Sequence, residues 1–280
     1  MSNKTPSANH VVTNAWQTLR DFTDARIALG RSGTSIPTAE MLKFQLEHAQ
    51  ARDAVHLPLE AKQLYETLKT GLIDRPQALD LFASSEPLLV NSLANDRGTY
   101  LQRPDFGRTL NPSSCAQLAL ETAKYDLAIC VVDGLSSMAI EKNALPFLQQ
   151  LLSALDGETI RLSPLTVCSQ GRVAIGDHVA QLLGAKTVMV LIGERPGLLS
   201  PDSMGLYLTY DAHVGCHDAQ RNCISNIRPA GLSYEVAVNK AKYLFEESKR
   251  LKLSGVNLKD RTEEAGNVLT SHQSFLTQAK

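Results

Sequence analysis

Residues 187–193 (TVMVLIG) constrain this chain more than any other stretch. Six consecutive β-branched and aliphatic residues and Gly193 are followed at once by Glu194-Arg195-Pro196-Gly197. Such a run is far shorter than the ~20 residues of a bilayer crossing and shows no polar alternation, so it reads as a strand buried on both faces. A strand of that kind needs parallel neighbours and helices over each face, and the rest of the chain supplies both. Residues 126–132 (DLAICVV) form a second apolar run, ending in Asp133-Gly134, and 165–168 a third. The alternating stretch 205–210 (GLYLTY) and the short 223–227 (CISNI) complete five predicted strands. Helical spacing fills the intervals, over 114–124, 137–155, 173–183 closed by Gly184, and 233–253. Strands separated by helices of 10–15 residues imply right-handed crossovers. The predicted fold is α/β, a doubly wound, mostly parallel, Rossmann-like sheet over residues 97–258.

Residues 14–96 read as a smaller helical N-terminal domain. Apolar spacing predicts helices over 14–29, from Pro37 through Val55, over 59–68 and over 75–82, while 88–93 fits helix or strand. The turn at 30–34 (GRSGT) lacks the Gly-Lys-Ser/Thr ending of a phosphate loop and reads as a helix cap and linker. Pro104 and Gly107 rule out a continuous helix over 100–110 (YLQRPDFGRTL), a charged loop whose arginines pair with Asp105 or meet a partner. Residues 1–13 read as a flexible N-terminal tail and 259–280 as a polar C-terminal one.

The 28 Lys and Arg against 29 Asp and Glu give a formal net charge of -1, with no long run of one sign. Neither nucleic-acid nor anionic-membrane binding is expected from bulk electrostatics. No apolar run is long enough for a membrane span, and the first dozen residues lack the apolar core of a signal peptide, so cytoplasmic residence is expected. Five cysteines, an odd number without CxxC or zinc-ligand spacing, read as reduced thiols.

Open parallel sheets bind ligands beyond the carboxyl ends of their strands, which makes the loops following 132, 168 and 193 the candidate site. Neither DGLSS (133–137) nor GERPG (193–197) contains G-x-G-x-x-G, which argues against a dinucleotide-dependent dehydrogenase. The helix predicted from Val173, behind Gly171 and Arg172, is the best anchor for a phosphate-bearing ligand. Glu194 is placed either to accept hydrogen bonds from a ligand or to pair with Arg195 or a neighbouring loop. Cys223 follows Arg221 and Asn222, and is either a thiol of lowered pKa or an inert one at the start of a buried strand.

Five strings in one order carry a specific likeness: RPDFGR (103–108), VVDGLSS (131–137), GRVAIGDHVAQLLGAK (171–186), VLIGERPGLLSPDS (190–203) and RNCISNIRPAG (221–231). Together they closely resemble the small, or light, subunit of ethanolamine ammonia-lyase. The likeness is strong over about 97–258 and looser over about 25–52. It implies a subunit of an adenosylcobalamin-dependent lyase that converts ethanolamine to acetaldehyde and ammonia. Catalytic residues are then expected on a large β/α-barrel subunit and none on this chain, which is not expected to be active alone and needs no metal ligand of its own. The family's cobalamin contacts fall on Val173, Glu194 and Cys223. The cofactor should keep its lower base on cobalt, because Asp211-Ala-His213-Val-Gly215 misses the Asp-x-His-x-x-Gly motif by one residue. RPDFGR and the N-terminal helices are the candidate contacts with the large subunit. Some family members carry a longer N-terminal extension associated with a bacterial microcompartment, which stands here as the alternative location to the cytoplasm. Two other readings are a free-standing α/β transferase binding a nucleotide or phosphometabolite, and a purely structural subunit.

Overall fold

The continuous apolar runs become the inner strands of one sheet. The computed structural model describes residues 10–23, 25–73, 82, 84, 86–120 and 123–262. Six strands, β3 (Leu88–Asn91), β4 (Tyr125–Val132), β5 (Thr166–Ser169), β6 (Ala185–Gly193), β7 (Met204–Tyr210) and β8 (Arg221–Ile227), pair in the order β3-β5-β4-β6-β7-β8. The first three pairings are parallel and the last two antiparallel, so the architecture is mixed α/β around a mostly parallel sheet. The ambiguous 88–93 stretch is the edge strand β3, its apolar residues in register with β5 (Leu89↔Val167). A separate ribbon pairs β1 (Val11–Val12) with β2 (Arg31–Ser32).

Strand alternation sends side chains to opposite faces, and each face acquires its own core. Leu127, Ile129 and Val131 of β4 join Met189 and Leu191 of β6 under α5 (Ser137–Leu155) and α7 (Tyr234–Leu251). Ala128, Cys130 and Val132 join Val188, Val190 and Ile192 under α6 (Ile175–Leu183) and α4 (Pro112–Leu118). Side-chain caps fix the starts of three of these helices. Asn111, Ser136 and Ser233 accept from the N–H groups of Ser114, Ala139 and Val236. Gly184 ends α6 in the left-handed conformation at φ +68°. Pro146 stays inside α5 because burial along most of the helix outweighs one lost backbone hydrogen bond.

The N-terminal part departs from its apolar spacing. Instead of a helix over 14–29 there is one 3₁₀ turn, Gln17–Asp21, with Trp16 68 % and Phe22 72 % exposed. Ala28 and Gly30 take left-handed backbone, and pairing of β1 with β2 draws the flanking chain out of any helix. Apolar side chains with no surface to cover give a helix no stabilisation. Helices α1 (Thr38–His56) and α2 (Ala61–Ile73) do form, and α2 packs against α5 closely enough that a Cβ at Gly71 would stand 2.5 Å from Leu145. The predicted 75–82 helix lies outside the described residues except for Phe82, as do residues 1–9 of the N-terminal tail and 263–280 of the C-terminal one.

A buried ion pair ties α6 to the antiparallel end of the sheet. The Arg221 guanidinium donates to both oxygens of Asp177, at 2.6 and 2.7 Å, and also to Thr209 Oγ1 and the Cys216 carbonyl. Both side chains are at most 3 % exposed. Removing one partner leaves the other as an uncompensated buried charge. Asp177→Ala should therefore lower the free energy of unfolding by about 3–5 kcal/mol in urea denaturation, and a loss under about 1 kcal/mol would show that the pair does not anchor the helix.

Candidate functional site

Strand β4 feeds α5 on one face while its neighbour β5 feeds α6 on the other, so the loops beyond them part in opposite directions and leave a crevice. Asp133, the first residue past β4 and fully buried, stitches that crevice together. Its Oδ1 accepts from the N–H groups of Gly134 and Gly171, both at 2.9 Å, and its Oδ2 from that of Gln170 at 2.8 Å. Gln170 sits at φ +57°, a left-handed conformation that lets successive N–H groups converge on one anion. Burial is the largest influence on the Asp133 carboxyl and leaves it raised to about 6 even though these donors and Arg97 pull it down.

Arg97 belongs to the short helix α3 (Arg97–Gln102), whose N-cap Asp96 accepts from the Thr99 N–H. Its Nη1 donates to the Gly134 carbonyl at 2.9 Å and lies 3.5 Å from Asp133, and its Nε donates to the Val55 carbonyl near the end of α1. The Tyr100 ring lies between two guanidiniums, 4.7 Å from Arg97 and 4.2 Å from Arg172. Nothing in the local sequence marked Arg97 or Tyr100 as part of a site. RPDFGR supports the same cluster from behind, because the Gly107 carbonyl accepts from the Arg172 N–H at 2.7 Å and a Cβ there would press on Arg172 and Tyr100. Arg103 and Asp105 of that string pair with each other at the surface.

The ends of β4 and β6 meet backbone to backbone. The Leu135 N–H donates to the Gly193 carbonyl at 2.9 Å. A Cβ on Gly193 would fall 2.0 Å from the Ser136 carbonyl oxygen, and one on Gly134 2.2 Å from that of Gly193. These glycines serve close approach of two strand ends rather than a nucleotide fingerprint. Glu194 follows immediately. Its Oε2 accepts from the Ser203 hydroxyl and from the Asn226 N–H, the latter at 3.1 Å, which plants the carboxylate over the ends of β7 and β8. Gly205 leaves room for it, since a Cβ there would stand 3.0 Å from Oε1.

Val173 and Glu194 line one cavity of about 410 Å³, together with Leu135, Arg172, Arg195 and Tyr207. Helix α6 begins two residues later than the sequence predicted, so half-buried Val173 lies in the turn before it, and its carbonyl accepts from the Gly176 N–H at 3.1 Å. Cys223 does not line the cavity. It is exposed on edge strand β8 rather than buried, opposite Tyr207 in the strand register, with its Sγ 3.3 Å from the Ser225 hydroxyl. Burial, and then the Cys223 thiol, hold the Tyr207 phenol above its ordinary range. His213 is remote from all of these, because the Tyr210 end of β7 pairs with Thr187, near the start of β6 rather than its Gly193 end.

In Asp133→Asn an amide NH₂ replaces one oxygen and meets an N–H donor that it cannot satisfy. This exchange should cost about 1–3 kcal/mol of stability, measured by chemical denaturation; a loss within a few tenths would mean that the loops do not depend on the carboxylate.

No helix among the described residues is long and apolar enough to cross a membrane. The family model described as ethanolamine ammonia-lyase light chain (EutC) matches residues 13–259. An ethanolamine ammonia-lyase small subunit from Azotobacter vinelandii is 50 % identical over 269 residues, spanning 95 % of this chain and 94 % of the relative. The Pseudomonas fluorescens (strain Pf0-1) protein of that name is 51 % identical over 255 residues, covering 89 % and 88 %. One from Pseudomonas aeruginosa (strain LESB58) is 50 % identical over 254 residues, covering 89 % of each chain. With half its residues shared along nearly its whole length, this chain belongs to the ethanolamine ammonia-lyase light-chain family.

Proposed function

We infer that this chain is the small subunit of an adenosylcobalamin-dependent ethanolamine ammonia-lyase, forming one wall of the cofactor site while a large subunit supplies the other wall and the substrate site. Membership of the family and the names of its relatives support the lyase role. The observation that carries the cofactor reading is the meeting of Val173 and Glu194, from two separate loops, in one surface cavity at the strand ends.

The residues present fit such a group. A corrin ring is rimmed by neutral amide side chains, which need apolar walls and a few well-placed acceptors and donors. Leu135, Val173, Ile192 and Tyr207 supply the walls, and Glu194 an acceptor. Three buried polar atoms without a partner among the described residues, Arg97 Nη2, Tyr100 Oη and Arg172 Nε, cluster just behind the cavity. Native interiors rarely leave such groups unpaired.

When bound, the cofactor supplies the radical chemistry that turns ethanolamine into acetaldehyde and ammonia. The contribution of this chain is binding, orientation and exclusion of water. Ser203 and Asn226 fix Oε2 of Glu194, and the carboxylate would accept from amide N–H groups of the ligand. The turn at Val173 offers main-chain groups and an apolar side chain, and Cys223 acts by packing on Tyr207. The lower base stays on cobalt in this reading, since His213 belongs to the opposite end of the sheet. We read the sheet as a Rossmann-like, doubly wound one with helices α1 and α2 of the N-terminal part as its accessory, working in the cytoplasm or inside a bacterial microcompartment.

The chain and a large subunit of the family, purified separately and mixed, test this directly. Deamination of ethanolamine is expected only in the mixture, and activity of this chain by itself would replace the proposal with a free-standing enzyme. In the mixture Glu194→Ala should weaken adenosylcobalamin binding about tenfold or more, while Glu194→Gln, which keeps an acceptor, loses less. An unchanged affinity in both variants removes Glu194 from the site.

A further inference from the structure

A second and larger depression, of about 640 Å³, adjoins the first and shares Leu135, Arg172 and Arg195 with it. Its far wall comes from one face of α1, where His48, Arg52 and Val55 follow one another at helical spacing. The chemistry of the two depressions differs. Glu194 lines the inner one, whereas the outer one is lined by three arginines, Arg52, Arg172 and Arg195, and by no acidic residue.

Two of those arginines are unspent. Arg52 and Arg195 are exposed and make neither an ion pair nor a hydrogen bond among the described residues. Other guanidiniums of this molecule do find carboxylates, as Arg103 does with Asp105, Arg228 with Asp202 and Arg250 with Glu247, although exposed Arg31 and Arg108 also have none among the described residues; what sets Arg52 and Arg195 apart is that they share one depression with Arg172. Arg172, between the depressions, donates to the Tyr100 carbonyl while its buried Nε is unpartnered. The formal charge of the whole chain is -1, so this is a local concentration of positive charge rather than a basic protein. Planar guanidinium forks match the oxygens of a phosphate better than any other acceptor except a carboxylate.

We propose that the outer depression binds a phosphodiester: the single ionised group of a cobalamin, in its nucleotide tail, held by Arg52 and Arg195 with Arg172 at the junction, while the neutral corrin amides occupy the inner depression. This rests on the cofactor reading above and adds the polarity of binding, with the tail running from the strand ends toward α1. The single chain thereby grips both the neutral and the charged part of the ligand.

The test uses the assembled enzyme and two corrinoids, cobalamin and cobinamide, which lacks the nucleotide tail and its phosphate. The double variant Arg52→Gln/Arg195→Gln removes charge from two exposed, unpaired side chains, and its thermal unfolding should match that of the wild type. Its Kd for cobalamin, followed by absorbance, should rise about tenfold or more, and its Kd for cobinamide should stay within about twofold. Raising salt should weaken cobalamin binding in the wild type more than in the variant. An unchanged Kd for cobalamin, or equal losses for both corrinoids, overturns the proposal. If the variant loses binding of inorganic phosphate yet keeps wild-type affinity for cobalamin, the depression serves a free oxyanion and the proposal falls as well. A wild-type complex that binds neither corrinoid overturns the cofactor reading itself, and with it this extension.

Discussion

One carboxylate without solvent contact sets the geometry of the loops beyond the carboxyl ends of the parallel strands. A buried negative charge is tolerated only when donors surround it, and Asp133 draws its donors from both sides of the crevice between β4 and β5. The loops that follow these strands are thereby locked to each other. Direct backbone contact between Leu135 and Gly193 then brings in the end of β6, and only glycines allow that approach. The placement of Glu194 relative to Val173 follows from these two constraints rather than from any contact between the two residues.

Packing explains why the anchor holds. The two faces of the sheet are separate cores built from alternate residues of the same strands, so a shift of β4 along its axis would disturb both at once. On the far side the antiparallel strands β7 and β8 extend the sheet and carry Tyr207 and Cys223, with the Asp177–Arg221 pair bracing them against α6. Helix α1 is different. It buries Glu47 and Ala54, lines the outer depression along a second face, and leaves Leu42 and Leu46 exposed on a third. Apolar residues around most of a helix mean that it is not simply covering the core of its own chain.

Several elements were legible because their signal is local. The runs at 126–132 and 187–193 became inner strands, and α5 spans the residues its spacing predicted, even across Pro146. The helix expected over 14–29 failed, although its apolar spacing is broadly helical, because spacing records which residues share a face and not whether anything lies opposite that face. For the same reason CISNI looked like a buried strand around Cys223, whereas β8 is an edge strand that leaves this thiol exposed. Arg97 and Tyr100 escaped notice altogether. Each is an ordinary residue of a short helix, and each joins the cluster through partners far along the chain, Arg97 through Asp133 and Gly134 and Tyr100 through Arg172, 36, 37 and 72 positions away respectively.

The sequence by itself determined five of the strands, most of the helices and, through five ordered strings, the family. Strand period, helix period and capping residues act within a dozen positions, and they survive in the text of the chain. Only the tertiary structure decided that the loops after β4, β5 and β6 converge, that the glycines there serve backbone contact, and that Arg52, Arg172 and Arg195 share one depression. Those facts depend on strand order and on the direction in which each helix leaves the sheet, which are set by the sum of many weak contacts between residues far apart in the chain.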